Sequence, residues 1–145
     1  DFMWNEINTD EDIAYLMDTY GGFHETCIVS LNYISGNYMK KGKNGNMAMA
    51  TDENINHCIL LKFDSEWRGR IELMFSGVKK FSCHCFEDCY MNYILLAYLK
   101  FHDNLRGKAD DRLIVWANDE DFNLLDTKGS YIIADSLKWR YSEYD

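Results

Sequence analysis

The spacing of hydrophobic residues changes once along the chain, close to its beginning. Between residues 13 and 20 the apolar positions recur every three or four residues, which predicts a helix with one apolar stripe. Thr9 and Asp12 have the spacing of a capping box, and acidic residues fill the first turn, where the helix dipole favours them. Gly21 and Gly22 follow, and glycine readily adopts the positive φ that ends a helix. The sequence therefore predicts one N-terminal amphipathic helix.

Beyond the glycines, apolar and polar residues alternate with a period of two, which is typical of β-strands. Gly77 lies close to one such segment and favours a bulge or bend. Residues 89–101 fit a helix by the spacing of their apolar residues, but their tyrosine and isoleucine content favours a long buried strand. The alternating segments are residues 27–34, 58–63, 71–75, 81–85, 112–117 and 131–141, with polar turns or loops at 35–37, 40–46, 64–69 and 118–121.

This order of elements predicts an α+β fold that is mainly β, with an antiparallel sheet or sandwich and the N-terminal helix packed on it. The chain of 145 residues is expected to form a single domain, 1–145, that buries roughly 70% of its unfolded surface. The longest apolar run, residues 93–99, is far shorter than the ~20 residues that a membrane span needs. No membrane partner is therefore expected.

Charge and cysteine content narrow the choice of partner and compartment. A net charge of −9 disfavours nucleic acid, because phosphates would repel the chain, and favours a basic protein partner. Residues 40–46 form a small basic patch in this acidic chain. The cysteines number five, which is odd, and no basic-then-apolar N-terminal segment signals secretion. We therefore expect free thiols in a reducing cytoplasm.

A run of soft ligands is the first candidate for chemistry. Cys83, His84, Cys85 and Cys89 are the residue types that zinc prefers. Their spacing is not the C-x-x-C pair of a zinc knuckle, and no second pair follows at a suitable distance. Alternation along one strand would place Cys83 and Cys85 on one face and His84 on the other. We therefore interpret these cysteines as small buried apolar residues and expect neither metal nor cofactor.

His24 and Glu25 are the second candidate, because a histidine beside a carboxylate can act as an acid–base pair. In an extended segment, however, neighbouring side chains point to opposite faces, so the two would not act on one atom. The favoured interpretation is that one of them satisfies backbone groups freed at the helix end. The chain has no nucleophile elbow, phosphate loop or dinucleotide-binding glycine pattern, and no catalytic residue is assigned.

Acidic residues in predicted turns would give the molecule a negative rim, above all at Asp119, Glu120 and Asp121. Trp67 and Trp139 are predicted to be exposed aromatic anchors for a partner.

Three short motifs resemble a family of small bacterial proteins, some of which are grouped with the immunity proteins of polymorphic-toxin systems. The motifs are Gly21-Gly22-Phe23-His24-Glu25 before the first strand, residues 71–78 with Phe81 behind them, and residues 136–140. The chain departs from that pattern in having Glu25 where Asp is more usual, and in its cysteine cluster at residues 83–89. The resemblance implies a mostly antiparallel fold, neutralisation of a toxin domain by direct binding, and no catalytic residues.

The first hypothesis is therefore an acidic cytoplasmic binding protein, an immunity protein that occludes a basic toxin domain. A metal- or thiol-dependent enzyme that uses His24, Glu25 or the region from Cys83 to Cys89 is one alternative. A structural protein that forms homo-oligomers through a sheet edge is the other.

Overall fold

The computed structural model describes residues 3–84, 93–108 and 111–144. It is mainly β, with 52% strand and 10% helix, which confirms the predicted fold class of an antiparallel sheet with one helix near the N-terminus. The elements in chain order are β1 (Asn5–Glu6), α1 (Asp10–Thr19), a 3₁₀ turn (Gly21–Phe23), β2 (Thr26–Ile34), β3 (Asn37–Lys41), β4 (Met47–Thr51), β5 (Cys58–Ser65), β6 (Gly69–Ser82), β7 (Tyr98–Asp103), β8 (Arg112–Ala117) and β9 (Tyr131–Ser142).

Seven strands form one antiparallel sheet in the order β2-β5-β6-β9-β8-β7, and β1 pairs with the far end of β9. The long strands β6 and β9 lie at its centre and pair from Arg70–Ser142 to Ser82–Tyr131. A bulge interrupts this pairing between Val78 and Lys80, next to Gly77 with φ +66°. A Cβ at Gly77 would collide with the Asp135 side chain, so glycine is needed at the predicted bend.

Helix α1 begins at the predicted capping box and packs on one face of the sheet. Asp12 N–H donates to Thr9 Oγ1 at 3.2 Å, and Thr9 N–H donates to Asp12 Oδ2 at 3.0 Å. A further hydrogen bond, from the Asn8 backbone N–H, contributes most to holding the pKa of Asp12 below its usual value. The core is centred on Phe23, with rings of Tyr20, Phe63 and Trp116 at centroid distances of 5.2, 4.9 and 6.1 Å.

The residues that the structure describes cover the other face of the sheet only in part. Over β8 and the start of β9, Phe122 and Leu124 of the following loop pack on a second apolar cluster. Beyond that cluster this face carries Leu60 and Met74 beside charged residues: the Glu72 carboxylate is buried and accepts hydrogen bonds from Arg140 at 3.1 and 3.2 Å and from Ser142 at 2.8 Å.

Three predicted elements differ from the structure. The strand predicted at residues 89–101 begins only at Tyr98; residues 93–97 are irregular, and residues 89–92 lie outside the described residues. Residues 71–75 and 81–82 belong to one unbroken strand, β6. Residues 42–46 of the predicted basic loop do form a turn, but Lys40 and Lys41 belong to the strand before it, and the turn joins a hairpin, β3–β4, that was not predicted. Within the described part of the chain this hairpin pairs with no other strand. The described helix is too short and too polar to cross a membrane.

Candidate partner-binding groove

Two adjoining cavities of about 1040 and 390 Å³ form a groove between β2, the end of β6 and the loop after β8. His84, Tyr93 and Asn118 line both cavities. The wider cavity has two chemically different sides, and we call it the acidic groove. Tyr93, Leu95 and Leu96 line it, and we call them its apolar side; Asp119, Glu120 and Asp121 also line it, and we call them its acidic side. Lys128 is the one lysine or arginine among its described lining residues.

The acidic side is a tight loop that presents its carboxylates to solvent. Asn118 closes the loop by accepting from Ser130 N–H through Oδ1 at 3.2 Å while its own N–H donates to Ser130 O at 3.0 Å. Asp119, Glu120 and Asp121 are all exposed. Among the described residues none of the three forms an ion pair, so their charge is available to a partner.

The apolar side is held in place by the glycine segment at the end of α1. Ala97 N–H donates to Gly22 O at 2.9 Å, and Ile94 N–H donates to Thr26 O at 2.8 Å. Gly22 has φ +65°, and a methyl group of Leu96 lies where its Cβ would be. The backbone of residues 93–97 is thus fixed while Leu95 stays 76% exposed. Apolar area that is rigid and exposed in this way is suited to binding.

His24 and Glu25 are brought together, contrary to the prediction that alternation separates them. His24 Nε2 lies 3.5 Å from Glu25 Oε1. The reason is the backbone of Glu25, whose φ of +57° breaks the extended geometry that the prediction assumed. His24 Nδ1 donates to Leu95 O at 2.7 Å, so the histidine ties the glycine segment to the apolar side of the groove. The His24 backbone N–H satisfies Gly21 O at 3.1 Å where the 3₁₀ turn ends, but its side chain does not contribute to the end of α1.

Trp67 joins this group from the turn between β5 and β6. Its indole N–H donates to Glu25 Oε2 at 2.5 Å, and its side chain is 71% exposed. The neighbouring Glu66 accepts a hydrogen bond from the Tyr93 hydroxyl at 2.6 Å, and this bond raises the pKa of Tyr93. A chain of contacts therefore connects the Trp67 turn to Tyr93 in the acidic groove.

Trp139 does not belong to this surface. It is only 2% exposed and lies opposite Leu73 in the register of β6 and β9. The prediction that it anchors a partner is wrong, because it shares the buried face of β9 with Leu137. The sequence did hold a signal for its burial: residues two apart on a strand share a face, so Trp139 lies on the same face as the apolar Leu137.

The cysteine cluster is only partly described. Cys83 is exposed beyond the end of β6, so the prediction that it is buried is wrong. Cys85 and Cys89 lie outside the described residues. Within residues 3–84, 93–108 and 111–144 no group of three or more His, Cys, Asp or Glu side chains has the arrangement of a metal site. Cys27, Cys58 and Cys83 are free thiols.

Comparison of the chain with protein-family models, with curated proteins and with solved structures finds no match. The resemblance to immunity proteins therefore stays a prediction.

Proposed function

We propose that this protein binds a basic protein partner in the acidic groove, and that it neutralises a toxin domain by direct occlusion, as the resemblance implies. The observation that supports this proposal is the pairing of two surfaces in one cavity. Exposed apolar side chains at Tyr93, Leu95 and Leu96 line the same cavity as the carboxylates of residues 119–121, which form no ion pair among the described residues.

The two sides of the groove would serve different steps of binding. Carboxylates attract a cationic partner over a Debye length and speed its approach, but exposed charges contribute little affinity. Affinity comes mostly from aromatic and aliphatic anchors that lose water on contact. Tyr93 and Trp67 are such anchors, and both are held by hydrogen bonds to glutamates. Their side chains would lose little conformational freedom when the partner binds.

The compartment that we propose is the cytoplasm. Cys27, Cys58 and Cys83 are free, and free thiols persist where glutathione keeps the environment reducing.

The test is co-purification with the product of the neighbouring gene, followed by affinity measurements on two charge variants. In the groove variant Asp119→Lys, Glu120→Lys and Asp121→Lys reverse the acidic side. We expect its affinity for a basic toxin domain to fall by about a hundredfold, because like charges facing each other cost several kcal/mol.

The matched control reverses the same number of charges away from the groove, at Glu6, Asp18 and Glu143, which are all exposed. We expect this control to weaken binding by less than about tenfold, through the change in overall charge alone. Equal losses in both variants would contradict the groove as the binding site. Absence of any complex with the adjacent gene product would contradict the toxin as the partner.

An acid–base enzyme is a second candidate, favoured by the contact between His24 and Glu25. The Nδ1 bond to Leu95 O leaves His24 Nε2 facing the carboxylate and open to solvent. Turnover of ester or phosphoester substrates that disappears in His24→Gln, while partner binding persists, would favour this candidate.

A further inference from the structure

The hairpin β3–β4 pairs with no further strand among the residues that the structure describes, and both of its strands are almost wholly exposed. Residues directly opposite each other share a face, and the register places Met39 opposite Met49 and Lys41 opposite Met47. Met39, Met47 and Met49 therefore lie on one face, where they are 64%, 63% and 68% exposed. An isolated two-stranded hairpin is marginally stable in water unless one face is covered. We call residues 37–51 the methionine hairpin.

The charge of the methionine hairpin is opposite to that of the rest of the chain. It carries Lys40, Lys41 and Lys43 and no acidic residue, which makes it +3. Because the whole chain carries −9, the remainder carries −12. A basic toxin would be repelled by this hairpin, whereas an acidic surface would attract it. The acidic groove is such a surface, and it also has an apolar side.

We infer that the methionine hairpin of one molecule docks in the acidic groove of a second copy, and that the exchange is reciprocal. The methionine face would cover Tyr93, Leu95 and Leu96, since flexible thioethers adapt to irregular apolar surfaces. Lys41, which shares the methionine face, and Lys43, in the turn, would face residues 119–121, whereas Lys40 lies on the opposite face and adds only to the overall charge of the hairpin. A reciprocal exchange forms a closed two-fold dimer, the commonest symmetric assembly. The inference uses the same groove as the proposed function but needs no toxin, and a toxin would compete with the hairpin.

An anionic membrane is the other occupant that a basic, methionine-bearing hairpin could meet. Each lysine near such a surface contributes about 1 kcal/mol, and the effect is lost within a Debye length. The body of the molecule, at −12, would be repelled by the same surface. Charge complementarity therefore favours the second copy.

The experiment is sedimentation equilibrium of three versions of the intact chain: the unaltered protein, a hairpin variant and a groove variant. We expect the unaltered protein to dimerise, with a dissociation constant that rises at least about tenfold from low to high salt. The hairpin variant carries Lys40→Glu, Lys41→Glu and Lys43→Glu, and the groove variant reverses residues 119–121 to lysine. Each variant alone presents like charges at the contact, so each should be monomeric under the same conditions.

A mixture of the two variants gives the decisive measurement. Both of its contacts pair opposite charges, so a one-to-one mixture should form a heterodimer with an affinity within about tenfold of the unaltered dimer. All six substitutions are at exposed residues, so each variant should fold, which circular dichroism would check.

Two results would overturn the inference: an unaltered chain that is monomeric at all salt concentrations, or a mixture that stays monomeric. A monomeric chain that binds phosphatidylserine vesicles through the hairpin lysines would assign the hairpin to membranes instead. The hairpin variant keeps an unaltered groove, so its binding to the toxin domain tests the proposed function separately.

Discussion

The central strand pair β6–β9 and the hairpin β3–β4 have the same antiparallel pairing, but the first is buried and the second is exposed. Both are antiparallel pairs whose facing residues share one side. In the central pair, Leu73 and Trp139 face each other and are almost completely buried. In the hairpin, Met39 and Met49 face each other and are mostly exposed. Alternation therefore predicts a strand, but only the neighbouring elements decide whether its apolar face is covered.

This difference divides the molecule into a part that supplies stability and a part available for binding. Fully burying an aliphatic or aromatic side chain is worth about 1.5–3 kcal/mol, so the face of β6 and β9 stabilises the monomer. The methionine face gains little of this in the monomer, since its three side chains stay 63–68% exposed. Its apolar area contributes mostly when another molecule covers it.

The largest expected effect on stability comes from a cavity in the core between β6 and β9. Leu73→Ala removes a fully buried side chain opposite Trp139, and we expect the free energy of unfolding to fall by about 2–5 kcal/mol, since a cavity is left in a close-packed core. Urea unfolding measures the loss. Met49→Ala, opposite Met39 in the hairpin, is the matched control and should change stability by less than about 0.5 kcal/mol. Similar losses at both positions would contradict the division.

Most of the sheet could be predicted from sequence, because its strands carry strong alternation and end at polar turns. The hairpin could not: the polar turn at residues 42–46 was expected, but the flanking Met-Ala-Met-Ala run of β4 has little β-propensity. The polar pair Lys79-Lys80 after Gly77 likewise resembles a turn, although β6 continues through it with a bulge. In both places pairing across the strands outweighs the local sequence.

The candidate site was predicted only in part. Asp119, Glu120 and Asp121 follow a strand as a run of acids, and such a run is readily identified as an exposed turn. The apolar side of the groove was missed, because Leu95 and Leu96 resemble core residues. Their exposure depends on long-range bonds from residues 93–97 to Gly22 and Thr26, and no local pattern encodes those bonds.

A smaller effect on stability is expected at β7. This edge strand is partly buried, between the buried central pair and the exposed hairpin. His102 is half-buried, and burial, with a contribution from Lys100, holds its pKa below the ordinary 6.5. Its Nε2 lies 2.6 Å from the Tyr98 hydroxyl, which donates to it when the imidazole is neutral. The folded state thus disfavours the protonated form. Its contribution to stability is complete above pH 6.5 and is lost as the pH falls below that value.

We therefore expect the free energy of unfolding to decrease between about pH 7.5 and 5.5, above the range in which carboxylates titrate. Urea unfolding across this range measures the decrease. His102→Gln should be less stable at the upper pH and should show a weaker pH dependence. An identical slope in both proteins would place the titrating group elsewhere.

A small effect on stability is expected even when the whole hairpin is removed. Asp52 N–H donates to Gly36 O at 2.8 Å, so the residues that flank the methionine hairpin already lie side by side. Replacing residues 37–51 with Asn-Gly, the pair favoured in tight hairpin turns, should close the gap without strain. We expect the free energy of unfolding of the monomer, measured at high salt, to change by less than about 1 kcal/mol, because both strands of the hairpin are almost wholly exposed. The same variant should lose dimerisation at low salt. A loss of several kcal/mol at high salt would mean that the hairpin packs against its own molecule, and the division between the two regions would then fail.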